Sequence, residues 1–440
     1  MSNEIEFGGR SGVISLILFS HFILYYMYYC INLNDGNIFI PTCMSDIHHA
    51  LDTLIKDVTP TLASVLIYFS FLGLEALFAV YLPGLLMMGR PDENGLKLKY
   101  KCNALLSWYV SLALVFAFQI YSTFTGVKTV SMIPDILGKL MSTSIIFADL
   151  FSLVLYVIGV TYKMSERMTG DPIYDFFMGA ILHPRIGLFD LKLWAEIRIS
   201  WFILFGITLS CAIKQFETFG NISPSMFFMV LAHFLYANAC AKGEHYVPST
   251  WDIFYEKFGW MLCFWNFAGV PFLYCAQSVY ILRQSIDHNL FNIVPSYLIA
   301  VYVVVLFVAY YFWDSAQSQK NHFRLESTGV VINRNTFPQM PWNTIKNPRY
   351  IKTEKGTPLL IDGWWKYARK IHYTADIIMA LLWGLSCGFR HFLPYFYFFF
   401  FTAMIIHRNQ RDMERCSKKY GKDWQRYVKE VPYVFIPGVY

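Results

Sequence analysis

The apolar stretch FLPYFYFFFFTAMII (Phe392–Ile406) runs directly into HRNQRDMERCSKKYGKDWQRYVKEVPYVFIPGVY (His407–Tyr440). The first segment is rich in aromatic residues and the second is dense in basic and polar ones, so a membrane span is predicted to end where a polar segment begins. Trp424 interrupts the charged residues, and Pro432 and Pro437 follow near the end. This pattern predicts an ordered C-terminal segment on the membrane surface.

Basic residues are concentrated within this segment, at Arg408, Arg411, Arg415, Lys418 and Lys419. A guanidinium binds phosphate through two parallel hydrogen bonds, so fixed arginines suit a multiply charged phosphate ligand. Charge alone leaves a second interpretation open. The same residues could form a solvated basic tail beside anionic lipid headgroups.

Composition indicates the class of protein. The chain has 440 residues, of which 56% are hydrophobic and 15% are charged, whereas a soluble protein is about 25% charged. The 40 Phe and 30 Tyr are expected for spans with aromatic belts. We predict an all-α polytopic membrane protein with a single membrane domain over residues 1–440.

Apolar stretches long enough to cross the hydrocarbon core recur along the chain. They predict about ten transmembrane helices: Val13–Asn32, Leu62–Met88, Ala104–Thr123, Ser144–Tyr162, Ser200–Phe216, Met226–Ala241, Gly259–Leu282, Tyr297–Trp313, Asp376–Phe389 and Phe392–Ile406. The last two are short for spans, so one or both should extend into the flanking polar helix.

The distribution of positive charge predicts the orientation. With ten spans and both termini in the cytosol, only six of the 36 Lys and Arg fall in lumenal connections, and these are Lys56, Lys128, Lys139, Lys214, Arg283 and Arg390. Cytosolic segments normally carry this excess of Lys and Arg. The N-terminal MSNEIEFGGR precedes an apolar run without a small-residue cleavage site, so Val13–Asn32 is predicted to be a retained span.

Several chemistries have no signature in the chain. The nine cysteines include no CxxC pair, and the histidines form no HExxH motif, so neither a disulfide framework nor a metal site is predicted. There is no Rossmann GxGxxG and no P-loop. A long polar segment, residues 315–375, carries both signs of charge and four prolines. It is predicted to be a functional cytosolic insert.

Two further basic and aromatic clusters flank this insert. Lys320 and Arg324 are spaced i, i+4, so they share one face if the preceding helix continues. The stretch IDGWWKYARKIHYTAD contains Trp365, His372 and Tyr373. Both clusters could be ordinary interfacial anchors or an aromatic belt. Aromatic rings and cations are also the residue types that hold a flat heteroaromatic cofactor and its phosphates.

Ionisable residues inside spans are costly and therefore candidates for function. Glu75 and Asp149 lie within predicted spans, and Glu244 lies at a span end. In GVPFLYCAQSVYIL, Gly269 and Pro271 are predicted to break the helix beside two tyrosines, Tyr274 and Tyr280. Structural packing is the alternative role for these residues.

Ordered motifs over most of the chain make it resemble a known family. They are LPGLLMMGRPDENGLKLKYKCN (Leu82–Asn103), GDPIYDFFMGAILHPRIGLFDLKLWAEIRISW (Gly170–Trp201), the Asp252–Leu282 block with GVPFLYCAQSVY, QKNHFR (Gln319–Arg324) and the C-terminal segment. The chain resembles the membrane sterol reductases. This family includes the Δ14- and Δ7-sterol reductases, the C-terminal domain of the lamin B receptor and the fungal-type side-chain 24(28) reductases.

Finer detail makes the chain most similar to the side-chain reductases. The segments KGEHYVPSTWDIFYEKFGWMLCFWNFAGVPFLYC and KNHFRLESTGVVINRNTFPQMPWNTIKNP carry this likeness. Where the Δ14 and Δ7 enzymes have an RHPNY-type sequence, this chain has RKIHYTAD, with His372 in place of their asparagine. That departure puts transfer of the asparagine's role to His372 in doubt, although histidine can also donate to a phosphate or ribose.

The resemblance implies an NADPH site without a Rossmann domain. Its residues would be Lys320, Arg324, Leu360, Trp365, His372, Tyr373, Arg408, Asp412, Cys416, Ser417, Lys418, Lys419, Tyr420 and Tyr427. Reduction of an unactivated double bond would begin with protonation, and hydride would then quench the cation. Asp412, Glu244, Tyr274 and Tyr280 are the candidate acids, and the resemblance does not choose among them.

The resemblance further implies reduction of the 24(28) side-chain double bond in ergosterol-type biosynthesis, with Δ14 or Δ7 reduction as the alternative. The substrate would be a sterol from the bilayer, the location the endoplasmic reticulum membrane, and the partners membrane lipids and other sterol-biosynthesis enzymes, with no nucleic acid. The tail pattern KKYGxxWxxYxxxVPYxxxP is also similar to isoprenylcysteine methyltransferases, which bind S-adenosylmethionine. A non-enzymatic scaffold or transporter is the third possibility, and cofactor titration separates the three.

Overall fold

Helices form most of the protein. A computed structural model describes residues 5–91, 95–327, 329 and 345–439. Its helices are α1 (Gly9–Asn32), α2 (Met44–Val58), α3 (Leu62–Tyr81), α4 (Ala104–Thr125), α5 (Leu137–Thr161), α6 (Pro172–Met178), α7 (Leu191–Trp194), α8 (Ser200–Phe219), α9 (Pro224–Lys242), α10 (Trp251–Phe254), α11 (Trp260–Phe264), α12 (Val270–Leu273), α13 (Ala276–His288), α14 (Ser296–Ser327), α15 (Ile371–Leu385), α16 (Phe396–Tyr420) and α17 (Lys422–Glu430).

The strands of the described residues form three small antiparallel pairs. They are β1 (Leu85–Pro91) with β2 (Lys97–Cys102), β3 (Arg185–Ile186) with β4 (Phe189–Asp190), and β5 (Tyr350–Ile351) with β6 (Leu359–Leu360). Short 3₁₀ segments cover Val130–Ile136, Glu244–Ser249, Gly363–Lys366 and Leu393–Tyr395. Two π-helical turns, Ala195–Ile199 and Trp265–Gly269, interrupt helical runs. The all-α prediction is therefore confirmed.

Seven helical runs in the described part of the chain are long and apolar enough to cross a membrane. They are Gly9–Asn32, Leu62–Tyr81, Ala104–Thr125, Val130–Thr161, Leu191–Phe219, Pro224–Lys242 and Ser296–Ser327. Each coincides with a span predicted from the sequence. The chain is thus a multi-pass membrane protein. The other three predicted spans do not correspond to single long apolar helices.

One of those three is broken into short pieces. Within Gly259–Leu282 the structure has α11, a π-helical turn, α12 and then α13. Pro271 lacks an N–H, so it cannot maintain the hydrogen-bond ladder of a continuous helix. The predicted break near Gly269 and Pro271 is therefore confirmed.

The last two predicted spans also have different bounds. The 15-residue α15 is a shorter apolar helix. The 25-residue α16 begins in the aromatic run and continues without a break into the basic segment, ending at Tyr420. The expectation that one of these spans extends into polar sequence is confirmed by α16.

Two predicted ends require correction. The second span was predicted to reach Met88, but α3 ends at Tyr81 because Pro83 is incompatible with helix continuation, and residues from Leu85 onward form β1. At the other boundary, α14 continues beyond Trp313 to Ser327. The first residues assigned to the polar insert are therefore the end of this helix. Residues 328 and 330–344 of that insert lie outside the described part of the chain.

Two compact units are present, Met1–Ile293 with His391–Leu393, and Val294–Arg390 with Pro394–Tyr440. We call them unit 1 and unit 2. The sequence-based expectation of a single membrane domain stays a prediction.

The core of unit 1 packs helices around small residues and aromatic rings. Trp194, Phe258 and Phe267 are buried together with side chains of α3 and α5. Gly179 ends α6 at φ +94, and a Cβ added there would lie 2.5 Å from the backbone nitrogen of Gly259. The glycine that closes GDPIYDFFMG is therefore needed for the close approach of two backbones.

In unit 2 the C-terminal residues run beside the segment that leads into α15. The backbone N–H groups of Arg369 and Lys370 donate to the carbonyls of Tyr433 (2.9 Å) and Val434 (2.8 Å). The Thr374 hydroxyl donates to the Phe435 carbonyl at 2.7 Å. The C-terminal segment is thus ordered by backbone bonding, as its interleaved aromatic residues predicted.

Candidate functional site

Three segments of unit 2 that are distant in sequence meet around Trp365. The Lys320 ammonium on α14 lies 3.8 Å from the centroid of the Trp365 ring. The indole nitrogen of Trp365 donates to the Ala316 carbonyl, also on α14, at 2.8 Å. The continuation of α14 beyond Trp313 therefore places Lys320 on the aromatic segment 363–374.

The neighbouring aromatic residues extend this surface. The His372 ring lies 5.2 Å from Trp365 and 4.2 Å from Tyr373 between centroids. Leu360 and Phe323 are buried against Trp365. This packing holds the His372 ring in place, while its Nδ1 is buried without a hydrogen-bond partner among the described residues.

The third segment joins through Asp412 on α16. Its carboxylate accepts from the Lys370 ammonium at 2.5 Å and from the Arg415 guanidinium at 2.8 Å. Burial would raise the pKa of this carboxyl, but the charge and hydrogen bond of Lys370, the charge of Lys320 and the bond from Arg415 hold its pKa well below the usual range. Asp412 is therefore an ionised clamp between α16 and the start of α15.

The cations in this region exceed the carboxylates available to them. Within the described residues, Lys320 and Arg324 form no ion pair, and Asp412 is already shared by Lys370 and Arg415. Both Lys320 and Arg324 are half-buried, where an unneutralised charge is costly. Their arrangement leaves positive charge for an anionic ligand to neutralise.

Residues that follow α16 pack against the C-terminal part of that helix. Tyr427 and Trp424 are buried with Ile351 and Val431, and Cys416 and Tyr420 pack against them. Burial raises the pKa of both the Tyr427 phenol and the Cys416 thiol above their usual ranges. These groups are therefore neutral at physiological pH and act through packing and hydrogen bonding.

The structure does not bury every predicted site residue. Arg408, Ser417, Lys418 and Lys419 are exposed on α16. By contrast Leu360, Trp365, His372 and Tyr427 are buried. Lys370, which donates to Asp412, belongs to the aromatic and basic stretch IDGWWKYARKIHYTAD that the sequence indicated as a possible phosphate contact. It was not among the cofactor residues that the resemblance implied.

These residues fit a phosphorylated dinucleotide. Unneutralised cations suit its phosphates. The Trp365 and His372 rings form a buried aromatic wall, and the buried Nδ1 of His372 lacks a partner among the described residues. No group of three or more His, Cys, Asp or Glu in the described ranges is placed to hold a metal ion.

A second polar cluster, in unit 1, contains the predicted acid Glu244. Its carboxylate pairs with the buried Arg198 guanidinium at 3.1 Å and accepts from the Ala104 backbone N–H at 2.7 Å. Arg198 also donates to the Asn103 side chain. Burial raises the pKa of Glu244 above its usual range, although the Arg198 charge opposes that shift.

Glu75 is a second buried carboxyl in unit 1. Its two oxygens each bond a serine hydroxyl at 2.5 Å, from Ser107 and Ser111 of α4. Arg198, the cation in the WAEIRISW motif, was not among the predicted site residues. A charged residue inside an apolar run is the signal that could have identified it.

The two predicted catalytic tyrosines lie elsewhere in unit 1. Tyr274 is buried, with its ring 6.2 Å from Trp265. Tyr280 is also buried, and its hydroxyl lies 2.8 Å from Nδ1 of His391. His391 was not among the predicted site residues, because nothing in the chain near residue 391 indicated a contact with α13.

The whole chain, residues 1–440, matches the family described as the ergosterol biosynthesis ERG4/ERG24 family. The chain belongs to this family. The resemblance to membrane sterol reductases inferred from its motifs is therefore confirmed.

Several members of the ERG4/ERG24 family are similar over nearly the full chain. A protein of Aspergillus fumigatus named Delta(24(24(1)))-sterol reductase erg4A is 42% identical over 99% of this chain and 92% of its own length. A Delta(24(24(1)))-sterol reductase of Gibberella zeae is 42% identical over 100% of this chain and 73% of its own. A Delta(14)-sterol reductase of Dictyostelium discoideum is 34% identical over 99% and 92%.

Proposed function

We propose that this protein is an NADPH-dependent sterol reductase that reduces the 24(28) side-chain double bond in ergosterol-type biosynthesis. The observation that carries the proposal is the convergence of Lys320, Trp365, His372 and the Asp412 clamp in unit 2. Both relatives at 42% identity carry the name Delta(24(24(1)))-sterol reductase, whereas the Delta(14) reductase is 34% identical. That difference favours the side-chain alkene.

We assign cofactor binding to the cluster in unit 2. Lys320 and Arg324 would hold phosphate groups, and Trp365, His372 and Tyr373 would contact the ring systems. Asp412 would fix Lys370 and Arg415, while Leu360, Cys416, Tyr420 and Tyr427 would form the surrounding wall. Arg408, Ser417, Lys418 and Lys419 would contact the cofactor from the exposed side of α16. When bound, the reduced nicotinamide supplies a hydride equivalent.

The protein must also supply a proton to an alkene that does not accept hydride by itself. Protonation at the terminal methylene carbon gives a substituted cation, which makes the side-chain double bond the better-placed target. Asp412 is ill-suited as the donor because its low pKa keeps it ionised. Burial raises the pKa of Glu244, which favours its protonated form, and Tyr274 and Tyr280 are also buried. The proton donor is therefore assigned to this group of three.

The orientation follows from the distribution of lysine and arginine. We place the protein in the endoplasmic reticulum membrane. Both termini are assigned to the cytosol, because that arrangement leaves only six of the 36 Lys and Arg in lumenal connections. The sterol would enter from the bilayer, and membrane lipids and other sterol-biosynthesis enzymes would be its neighbours.

A substrate with two reducible bonds tests the assignment. Purified protein with NADPH is given a sterol that carries both the side-chain methylene and a ring Δ14 bond, and products are identified by mass spectrometry. We expect loss of the 24(28) double bond with the ring bond intact. Prior loss of the ring bond would place the protein with the Δ14 reductases instead. Binding of S-adenosylmethionine in place of NADPH would indicate a methyltransferase.

Cofactor specificity gives a second expectation. We expect turnover with NADPH well ahead of NADH, because this cluster has more cations than NADH requires. Arg408→Ala should weaken NADPH binding by about 1–3 kcal/mol, the range for a lost hydrogen bond to a charged group. Isothermal titration of the purified protein measures this difference.

The matched control is Arg426→Ala, which removes another exposed arginine, from α17. It should leave NADPH affinity within about threefold of the wild type, since no cofactor contact is assigned to Arg426 and an exposed charge without a specific contact contributes little. Equal turnover with NADH, or equal losses in the two variants, would contradict the assignment of Arg408.

A further inference from the structure

A polar pair lies at the middle of two membrane spans and is not used by the proposed chemistry. The His21 ring nitrogen Nε2 on α1 lies 3.1 Å from Oδ2 of Asp149 on α5. The Trp260 indole donates to Oδ1 of the same carboxyl at 2.7 Å. Asp149 is thus fixed from two sides, by α1 and by α11.

The hydrogen bonds of His21 orient its ring toward Asp149. Its Nδ1 lies 2.9 Å from the Ile17 carbonyl, and a carbonyl can only accept, so Nδ1 is the donor in that bond. This leaves Nε2 facing Oδ2 of Asp149. A carboxyl group has about four lone-pair positions, so Asp149 retains some that neither Trp260 nor His21 uses.

This pair is partly open. The side chains of His21 and Asp149 are 30% and 37% exposed. Their neighbours on the same helices, Leu18 (65%), Phe22 (60%) and Leu150 (57%), present an apolar surface. An exposed carboxyl among such residues in the hydrocarbon region is costly unless a hydrogen-bond donor covers it.

Aromatic rings lie behind the pair. The Trp260 and Phe264 rings stack at 4.5 Å and 26°, and the His21 ring lies against them at 5.7 Å and 4.8 Å. Both rings are buried, so they hold His21 in place from the protein side. The accessible part of the site is therefore one hydrogen-bond acceptor within an apolar surface, which suits an apolar molecule that carries a single hydroxyl.

We propose that the Asp149–His21 pair, backed by Trp260, is the hydrogen-bond acceptor site for the ring hydroxyl of a sterol. The inference rests on the proposed function only for the class of ligand, because a sterol has one hydroxyl on an otherwise apolar polycycle. Donation of that hydroxyl to the unused lone pairs of Asp149 would cover the carboxyl and fix the end of the sterol remote from its side chain.

The test compares a radiolabelled sterol alcohol with its 3-methyl ether, which cannot donate a hydrogen bond. Binding is measured on detergent-solubilised protein without cofactor. We expect the wild type to prefer the alcohol by about tenfold or more, as for a hydrogen bond to a charged or strongly polar group. This comparison needs no variant, and equal affinity for alcohol and ether overturns the proposal.

Variants then locate the preference. Asp149→Leu should bring the alcohol-to-ether ratio close to one. The control Thr143→Val removes a buried hydrogen bond between α5 and Ser64 of α3, 3.1 Å long, and should keep the wild-type ratio. A folded Asp149→Leu variant that still prefers the alcohol would show that the hydroxyl binds elsewhere, and would overturn the assignment.

Turnover with NADPH separates this proposal from the proposed function. If the protein reduces the alcohol but binds alcohol and ether equally, the hydroxyl site fails and the reductase assignment stands. If the alcohol is preferred in binding but neither sterol is reduced, the reductase assignment fails and the site stands.

Discussion

Replacement of Asp412 by asparagine is expected to leave the protein folded in detergent and to lower turnover at least about a hundredfold, the cost of a small misplacement at a reacting centre. The carboxylate holds Lys370 of the segment before α15 and Arg415 of α16 at the same time. An amide keeps the shape but not the charge, so both cations lose their shared counterion. Steady-state kinetics with NADPH and circular dichroism check the result.

The control is Glu414→Gln, which removes a negative charge two residues away on the exposed side of α16. It should keep most of the activity, because Glu414 makes no ion pair with the described residues. An active Asp412→Asn variant would contradict both roles considered for Asp412. Loss of kcat with unchanged NADPH affinity would contradict the clamp and favour a role in proton transfer.

The same ion pairs predict how pH acts on unit 2. Because the pKa of Asp412 is lower in the folded protein, its contribution to stability is complete above its unfolded value of about 3.9 and declines as pH falls toward the folded value. Activity losses between pH 5 and 8 therefore arise from other groups. A pH profile of NADPH affinity that follows a carboxyl pKa near 5 would contradict this account.

Hydrophobic segments made most of the spans predictable, whereas helix ends depended on single residues. Seven predicted spans coincide with helical runs because a membrane requires long apolar stretches with satisfied backbone groups. The predicted end of the second span at Met88 was wrong because apolar residues after Pro83 enter a strand, and hydropathy does not distinguish a strand residue from a helical one. The end of α14 was missed because polar residues can continue a helix when they pack against another segment.

The site was predictable in part for a related reason. Aromatic and basic residue types identified three segments, and the structure brings Lys320, Trp365 and Asp412 together with their neighbours in unit 2. Sequence could not show that Asp412 pairs with Lys370, because residues 42 positions apart share no helical face. It also could not place Arg198 against Glu244, which depends on how the helices pack.

Replacement of Arg198 should lower the free energy of unfolding more than any other substitution proposed for this protein. Its guanidinium and the Glu244 carboxylate are both almost completely buried and lie 3.1 Å apart. Arg198→Met removes the cation but leaves the carboxyl in the protein interior, and an unpaired buried charge costs about 3–5 kcal/mol. Thermal unfolding in detergent should show a strongly lowered midpoint.

The control Lys214→Met breaks a more exposed ion pair with Asp135, at the other end of the same helical run. It should cost less than about 1 kcal/mol. The double variant Arg198→Met/Glu244→Gln should recover much of the lost stability, because no carboxyl is then left unpaired and the glutamine oxygen can still accept from the Ala104 N–H. Equal destabilisation by the two single variants would contradict a buried pair.

The double variant also tests the proton donor. A stable Arg198→Met/Glu244→Gln protein that binds NADPH and sterol normally but has no turnover would assign the acid to Glu244, because an amide cannot donate the required proton. A stable variant with most of the wild-type turnover would exclude Glu244. The donor would then be Tyr274 or Tyr280. Tyr280→Phe would separate them, because it removes the phenol of Tyr280, together with its hydrogen bond to His391, and leaves Tyr274 intact.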